Sequence, residues 1–246
     1  MKAVAITDIG RRRRSNQDRI FCSTTNVGAL PNLFIVADGM GGEKAGDYAS
    51  QACVETIVSE IKKSKATSCV QILRNAIEKT NASLHAQSLE DKYMAGMGST
   101  LVAAIIEGNT LYTFNVGDSR LYIMDESLTQ ISKDHSYVEE MVMLGEMTRD
   151  SKDYNKDKGV LTRAVGAFEN IDVDIFENDL TSASRILLCS DGLTGQVDSD
   201  TIESIMKSER DIDSCAKKLI ETANAHGGFD NISVCIIDPE VSEVRE

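Results

Sequence analysis

The chain has 246 residues, 41% apolar and 26% charged, which suits one soluble domain with a substantial core. A formal net charge of −13 and a pI near 4.7 disfavour nucleic acid and anionic membranes as partners, since both reward clustered Lys and Arg. No stretch approaches the roughly 20 apolar residues of a membrane span, and residues 1–8 turn polar too soon for a signal peptide, so a cytoplasmic protein is expected.

In chain order, strands are predicted near 2–7, 19–23 and 32–37. Between the first two lies the only basic run, Arg11-Arg12-Arg13-Arg14. The third ends in an apolar run closed by Asp-Gly: Leu33-Phe34-Ile35-Val36-Ala37-Asp38-Gly39. Helices follow at about 45–63 and 68–90. The first carries an apolar stripe of Ala45, Ala49, Ala52, Cys53, Thr56, Ile57 and Ile61 at helical spacing.

Residues 100–106, 110–115 and 121–124 read as a meander, because turns at 107–109 and 117–119 are too short for parallel crossovers. Asp134 is placed to cap a helix running to about residue 144. The polar stretch 145–158 is a candidate flap or loop. Strands near 171–176 and 185–190 lead into helices near 199–207 and 211–225 and a last strand at 232–237. Strands and helices are segregated rather than alternating, so the class is α+β, in a single domain.

The run Ile186-Leu187-Leu188-Cys189-Ser190-Asp191-Gly192 repeats the strand–Asp-Gly pattern of Asp38. Gly117-Asp118 follows another apolar stretch, and Asp230 precedes the last strand. In each Asp-Gly pair the glycine is expected to let the backbone turn sharply after the strand. Strand-end carboxylates collected on one rim offer the oxygen ligands that Mg²⁺ and Mn²⁺ prefer. The six cysteines lie far apart without CxxC or Cys–His spacing, which favours reduced core thiols over zinc or a disulfide framework. Gly39-Met40-Gly41-Gly42 lacks the Lys-Ser/Thr of a P-loop.

Taken together, the motifs resemble the metal-dependent protein phosphatase family, type 2C, in its compact bacterial form. They run in order: Thr7-Asp8-Ile9-Gly10, Arg13, Ser15-Asn16-Gln17-Asp18, Val36 to Gly42, and Gly98-Ser99-Thr100. Asn115-Val116-Gly117-Asp118-Ser119-Arg120, Asp134-His135-Ser136, Leu161 to Gly166, Cys189 to Leu193 and Gly227 to Val234 complete the set. The resemblance implies a central β-sandwich of two mostly antiparallel sheets flanked by helices on both sides, filling residues 1–246, with a flap at about 145–160. It implies that Asp38 bridges two Mn²⁺ or Mg²⁺ ions, that the Gly39 carbonyl binds one of them, and that Asp191 and Asp230 hold the other. Asp18 would act through metal-bound waters, and Asp118 would hold a third ion.

The implied activity is hydrolysis of phosphoserine and phosphothreonine in proteins by direct attack of a metal-bridging water. Arg13 would clamp the phosphate with its planar fork. No CxxxxxR loop or evident activated serine proposes a covalent nucleophile. Some relatives carry a histidine after the first Asp-Gly, thought to protonate the leaving group; Met40 stands there, leaving a metal-bound water or His226 as the acid. A cognate Ser/Thr kinase and a monomeric state are expected. The rivals are a hydrolase of small phosphomonoesters and a non-catalytic binding module, the latter disfavoured by the presence of all four core aspartates.

Overall fold

The computed structural model describes residues 1–149, 151–180 and 185–239. Its first half runs β1 (Lys2–Asp8), β2 (Asp18–Ser23), β3 (Leu33–Met40), α1 (Glu43–Lys63), α2 (Cys69–Glu90), β4 (Gly98–Ser99), β5 (Leu101–Glu107) and β6 (Thr110–Val116). The rest runs β7 (Arg120–Met124), β8 (Leu128–Gln130), α3 (Tyr137–Met143), α4 (Lys152–Asp157), β9 (Asp174–Asp179) and β10 (Arg185–Cys189), then α5 (Asp191–Thr194), α6 (Ser199–Ser208), α7 (Ile212–Ala225) and β11 (Ile232–Asp238).

These strands form two antiparallel sheets. One has the order β1-β11-β10-β7-β8, the other β2-β3-β5-β6-β9 with β4 paired to β3. Strand alternation sorts their side chains into three apolar layers. Phe34, Val36, Ile186, Leu188, Cys235 and Ile237 point between the sheets. Leu33, Ile35 and Ala37 face α1 and α2 on one outer side. Leu187, Cys189, Val234 and Ile236 face α6 and α7 on the other. Each central strand is therefore buried on both faces, which is why it reads as an unbroken apolar run. The α+β sandwich flanked by helices on both sides is as expected.

Four details differ from the sequence reading. The helix after residue 134 is shorter and is capped by Ser136, whose hydroxyl accepts from Glu139 N–H at 3.4 Å; Asp134 instead receives Arg120. The stretch 145–158 contains α4, capped by Ser151. It is pinned to α3 by Tyr154, which donates to Glu139 at 2.6 Å, and by the fork of Arg149 on the same carboxylate. Asp150 of that flap lies outside the described residues. The strand expected at 171–176 is displaced to Asp174–Asp179, and α5 and β8 were not anticipated.

The glycines after Asp38 and Asp191 also act differently from the sharp turns expected of them. Neither turns the chain through the left-handed region. A Cβ at Gly39 would stand 1.9 Å from the Gly46 carbonyl oxygen, and one at Gly192 would stand 1.8 Å from that of Asn231. Both glycines thus let a second backbone segment lie directly against the aspartate.

Candidate metal centre

The strand ends meet at one rim of the sandwich. Asp18 opens β2 directly opposite Asp38 in the register with β3. Asp191 opens α5 immediately after β10, and Asp230 stands two residues before β11, so the second sheet supplies the other pair. Asp118 sits in the turn between β6 and β7. Asp38, Gly39, Asp118, Asp191 and Asp230 line a pocket of about 490 Å³, together with Arg12, Arg13, Arg14, Met40 and Thr100. Asp18 lies beneath it, 1% exposed.

A scaffold of hydrogen bonds holds the segments around the carboxylates. Thr100 grips the Asp38 backbone twice: its hydroxyl accepts from Asp38 N–H at 2.9 Å and its N–H donates to the Asp38 carbonyl at 2.8 Å. Ser190 donates its hydroxyl to Asp18 Oδ2 at 2.7 Å, and the Ser190 hydroxyl oxygen in turn accepts from Ser233 N–H at 3.0 Å. Asn231 ties down the segment carrying the arginines. Its Nδ2 donates to the carbonyls of Ile9 (2.9 Å) and Ser15 (3.0 Å), while Oδ1 accepts from Gln17 N–H at 2.8 Å. The N–H groups of Arg11 and Arg12 both donate to the Gly228 carbonyl, and Arg12 stacks 5.7 Å from the Phe229 ring.

So many carboxylates in one place repel one another. Burial, then the charges of Asp18, Asp191, Asp118 and Asp230, pushes the Asp38 carboxyl well above its usual range. Burial raises Asp18 to about 7, against the relief of hydroxyl bonds from Ser190 and Ser233. Asp118 is raised by burial and by Asp191. Asp191 is raised by burial and by the charge of Asp230.

Arg13 is the direct counter-charge: it donates to Asp230 Oδ2 at 2.6 Å. Partial burial works against its charge, but the Asp230 bond, with Asp38 and Asp191 behind it, outweighs that and raises its pKa. Arg13 is thus spoken for by Asp230, not held apart facing an open phosphate pocket.

The donor set suits hard divalent cations. Every side chain offered is a carboxylate, and buried Oδ1 atoms of Asp18 and Asp191 have no hydrogen-bond partner. The carboxylates ring the pocket rather than closing on a point. Among the described residues no three His, Cys, Asp or Glu side chains stand close enough to form a finished ion cage. A cation entering between them would offset both the burial and the mutual repulsion that raise the pKa values of all four.

His226 does not line the pocket; its ring nitrogen lies 3.0 Å from the Gln196 carbonyl. His85 lies 3.3 Å from the Gly166 carbonyl. Three supports escaped sequence reasoning: Thr100, Ser190 and Asn231, which stood in the motifs without a role. His135 is a fourth. Its Nδ1 accepts from Gly117 N–H at 3.1 Å and its Nε2 lies 3.2 Å from Asp174, so it props the turn that presents Asp118. Arg120 steadies the same turn through a bidentate bond to Asp134.

The protein phosphatase 2C family model matches residues 10–230. The serine/threonine phosphatase stp of Listeria monocytogenes is 35% identical over 253 residues, covering 99% of this chain and 98% of its own. The protein phosphatase PhpP of Streptococcus pneumoniae is 32% identical, covering 96% and 97%. Among solved structures, the serine/threonine phosphatase Stp1 of Staphylococcus aureus superposes with a TM-score of 0.89 at 28% identity, covering 97% and 95%. The serine/threonine phosphatase PstP/Ppp of Mycobacterium tuberculosis superposes with a TM-score of 0.84 at 30% identity, covering 96% and 97%.

Proposed function

Because this chain belongs to the protein phosphatase 2C family, we propose that it is a metal-dependent serine/threonine protein phosphatase whose site is built from Asp18, Asp38, Gly39, Asp191 and Asp230, with Arg13 receiving the phosphate. What supports this reading is the meeting of carboxylates from both sheets at one rim, two of them with buried oxygens that no protein group satisfies. Mn²⁺ or Mg²⁺, two in the core and a third near Asp118, would supply the Lewis acidity that makes water nucleophilic and offsets phosphoryl charge.

The remaining work falls to the chain itself. Asp38, fixed by Thr100, and Asp191, fixed at the start of α5, face each other across the pocket and hold the core. Asp18 lies below them, with Oδ2 bonded to Ser190. Once Asp230 is engaged in the core, Arg13 is released from it and its planar fork can take two phosphoryl oxygens. No histidine lines the pocket among the described residues, so leaving-group protonation falls to water. The substrates are phosphorylated proteins, and the opposing enzyme is a Ser/Thr kinase. The enzyme acts in the cytoplasm as a monomer, with residues 1–246 as one catalytic domain.

The test is hydrolysis of a phosphothreonine peptide and an aryl phosphate by EDTA-stripped protein, with and without Mn²⁺, beside Asp191→Ala. Activity should appear only with metal and vanish in the variant. Metal binding without cleavage of either substrate would overturn the reading and favour a binding module.

A further inference from the structure

The arginine run lies along the turn that leads into β11. The backbone N–H groups of Arg11 and Arg12 donate to the Gly228 carbonyl at 2.7 and 3.2 Å. Arg11 passes so close to Gly228 that a Cβ there would stand 2.8 Å from Arg11 Cγ. The Arg12 guanidinium lies over the Phe229 ring, 5.7 Å from its centroid, and Arg13 pairs with Asp230 at 2.6 Å. Residues 11, 12 and 13 thus match 228, 229 and 230 one for one. This matching fixes the segment and brings Arg12, Arg13 and Arg14 to the wall of the carboxylate pocket.

Arg13 is taken up by the site, but Arg12 and Arg14 are not. Both are exposed, and among the described residues neither forms an ion pair. The Phe229 ring is itself 56% exposed, so it attracts and orders the Arg12 guanidinium without burying it, and the N–H donors stay available to an oxyanion. Beyond the core aspartates, the one acidic side chain lining the pocket among the described residues is Glu43, at the start of α1. In a chain of net charge −13, this arginine wall is a local reversal of the field.

We propose that Arg12 and Arg14 form a substrate subsite beside the phosphate, which selects phosphorylated segments carrying Asp or Glu next to the phosphorylated residue. The subsite rests on the phosphatase reading and adds to it a sequence preference. Arg12 and Arg14 are at most about 7 Å apart along the backbone, the span of one or two residues of an extended substrate. With Arg13 on the phosphate, its two neighbours stand where the flanking side chains pass, and guanidinium donors match carboxylate acceptors. The overall charge of −13 works in the opposite direction and disfavours acidic peptides at long range. A preference for them therefore has to come from a local feature, which makes the sign of the selectivity informative.

The test is steady-state hydrolysis by the Mn²⁺-loaded protein of phosphothreonine peptides of one length, with Glu, Gln or Lys flanking the phosphothreonine, beside an aryl phosphate. KM should be about 3- to 10-fold lower for the Glu peptide than for the Gln peptide, the scale of two exposed charge pairs, and highest for Lys. The difference should shrink as salt rises from about 50 to about 500 mM. In the double variant Arg12→Ala/Arg14→Ala the Glu-to-Gln ratio should fall to about one or reverse, as the net charge then dictates. Lys62→Ala/Lys65→Ala, which removes the same charge at the far end of α1, should keep the parent ratio. Cleavage of the aryl phosphate with no Glu preference in the parent, or a preference that survives in the arginine variant, overturns the subsite alone. No cleavage of any substrate overturns both the subsite and the phosphatase reading.

Discussion

Replacing Asn231 with alanine isolates how much one side chain contributes to holding the arginine segment over the carboxylates. Asn231 is 2% exposed and makes three hydrogen bonds to backbone groups more than two hundred residues away in sequence. Truncation strands the buried Gln17 N–H, at about 1–3 kcal/mol for an unsatisfied group. The Ile9 and Ser15 carbonyls are only partly buried, so water can replace their partner and each contributes nearer the net value of about 0.5–1.5 kcal/mol. The sum is about 2–6 kcal/mol, and water entering the vacated volume places the expectation near about 3 kcal/mol. Urea unfolding followed by circular dichroism, on metal-free protein at neutral pH, reads this as a lower midpoint with an unchanged slope. Amide hydrogen exchange should accelerate at residues 9–17 before it does so in β11. A loss below about 0.5 kcal/mol, the range of neutral surface substitutions, would refute the idea that Asn231 is the clasp.

Three further outcomes follow from the site. Free Mn²⁺ at about 100 times its Kd should stabilise the protein by about 2.7 kcal/mol, raising the melting midpoint by about 5–10 °C for a chain of this size; an equal rise in Asp191→Asn would exclude Asp191 as a ligand. Arg13→Ala should raise KM for a phosphopeptide about 10- to 100-fold, the scale of hydrogen bonds to a charged group, and Arg13→Lys should recover only part of it because an ammonium lacks the planar fork; unchanged KM in both would remove Arg13 from phosphate binding. Burial, then the neighbouring Arg163 charge, lowers the folded-state pKa of His135 despite the opposing pull of Asp174. Its contribution is therefore fully present above the unfolded value of about 6.5 and is lost as pH falls from there toward the folded pKa, where the unfolded chain binds the proton first. His135→Asn should flatten the urea midpoint across that window, and a midpoint that falls as steeply as before would refute this.

Most strands were legible because burial on both faces leaves unbroken apolar runs such as 33–37 and 186–189. The helices α1 and α7 were legible because each buries one stripe. What escaped had no apolar signal. The helix α4 is polar throughout and is held by Glu139 rather than by a core. Asp134 looked like a cap on local spacing, but a bidentate Arg120 claimed it and left the cap to Ser136. The carboxylates stood out as strand-end residues, whereas Ser190 and Asn231 did not. Their partners lie 43 to 222 positions away along the chain, and no local pattern records such a contact. The Asp-Gly pairs were noticed for a different reason from the one that operates: close backbone approach, not a sharp turn after the strand.

The pairing of β1 with β11 has a consequence for biosynthesis. Among the described residues the first strand pairs only with the last, and β11 lies between β1 and β10. A ribosome adding roughly 5–20 residues per second needs on the order of 10–50 s to pass from β1 to that strand. Until then β1 has no ladder to join, and the pocket lacks Asp230. A nascent chain can assemble the β2–β9 sheet with α1 and α2 while still lacking the site. The order of synthesis therefore delays completion of the pocket until β11 is made, so a chain stalled before Asp230 lacks one of the carboxylates of the site.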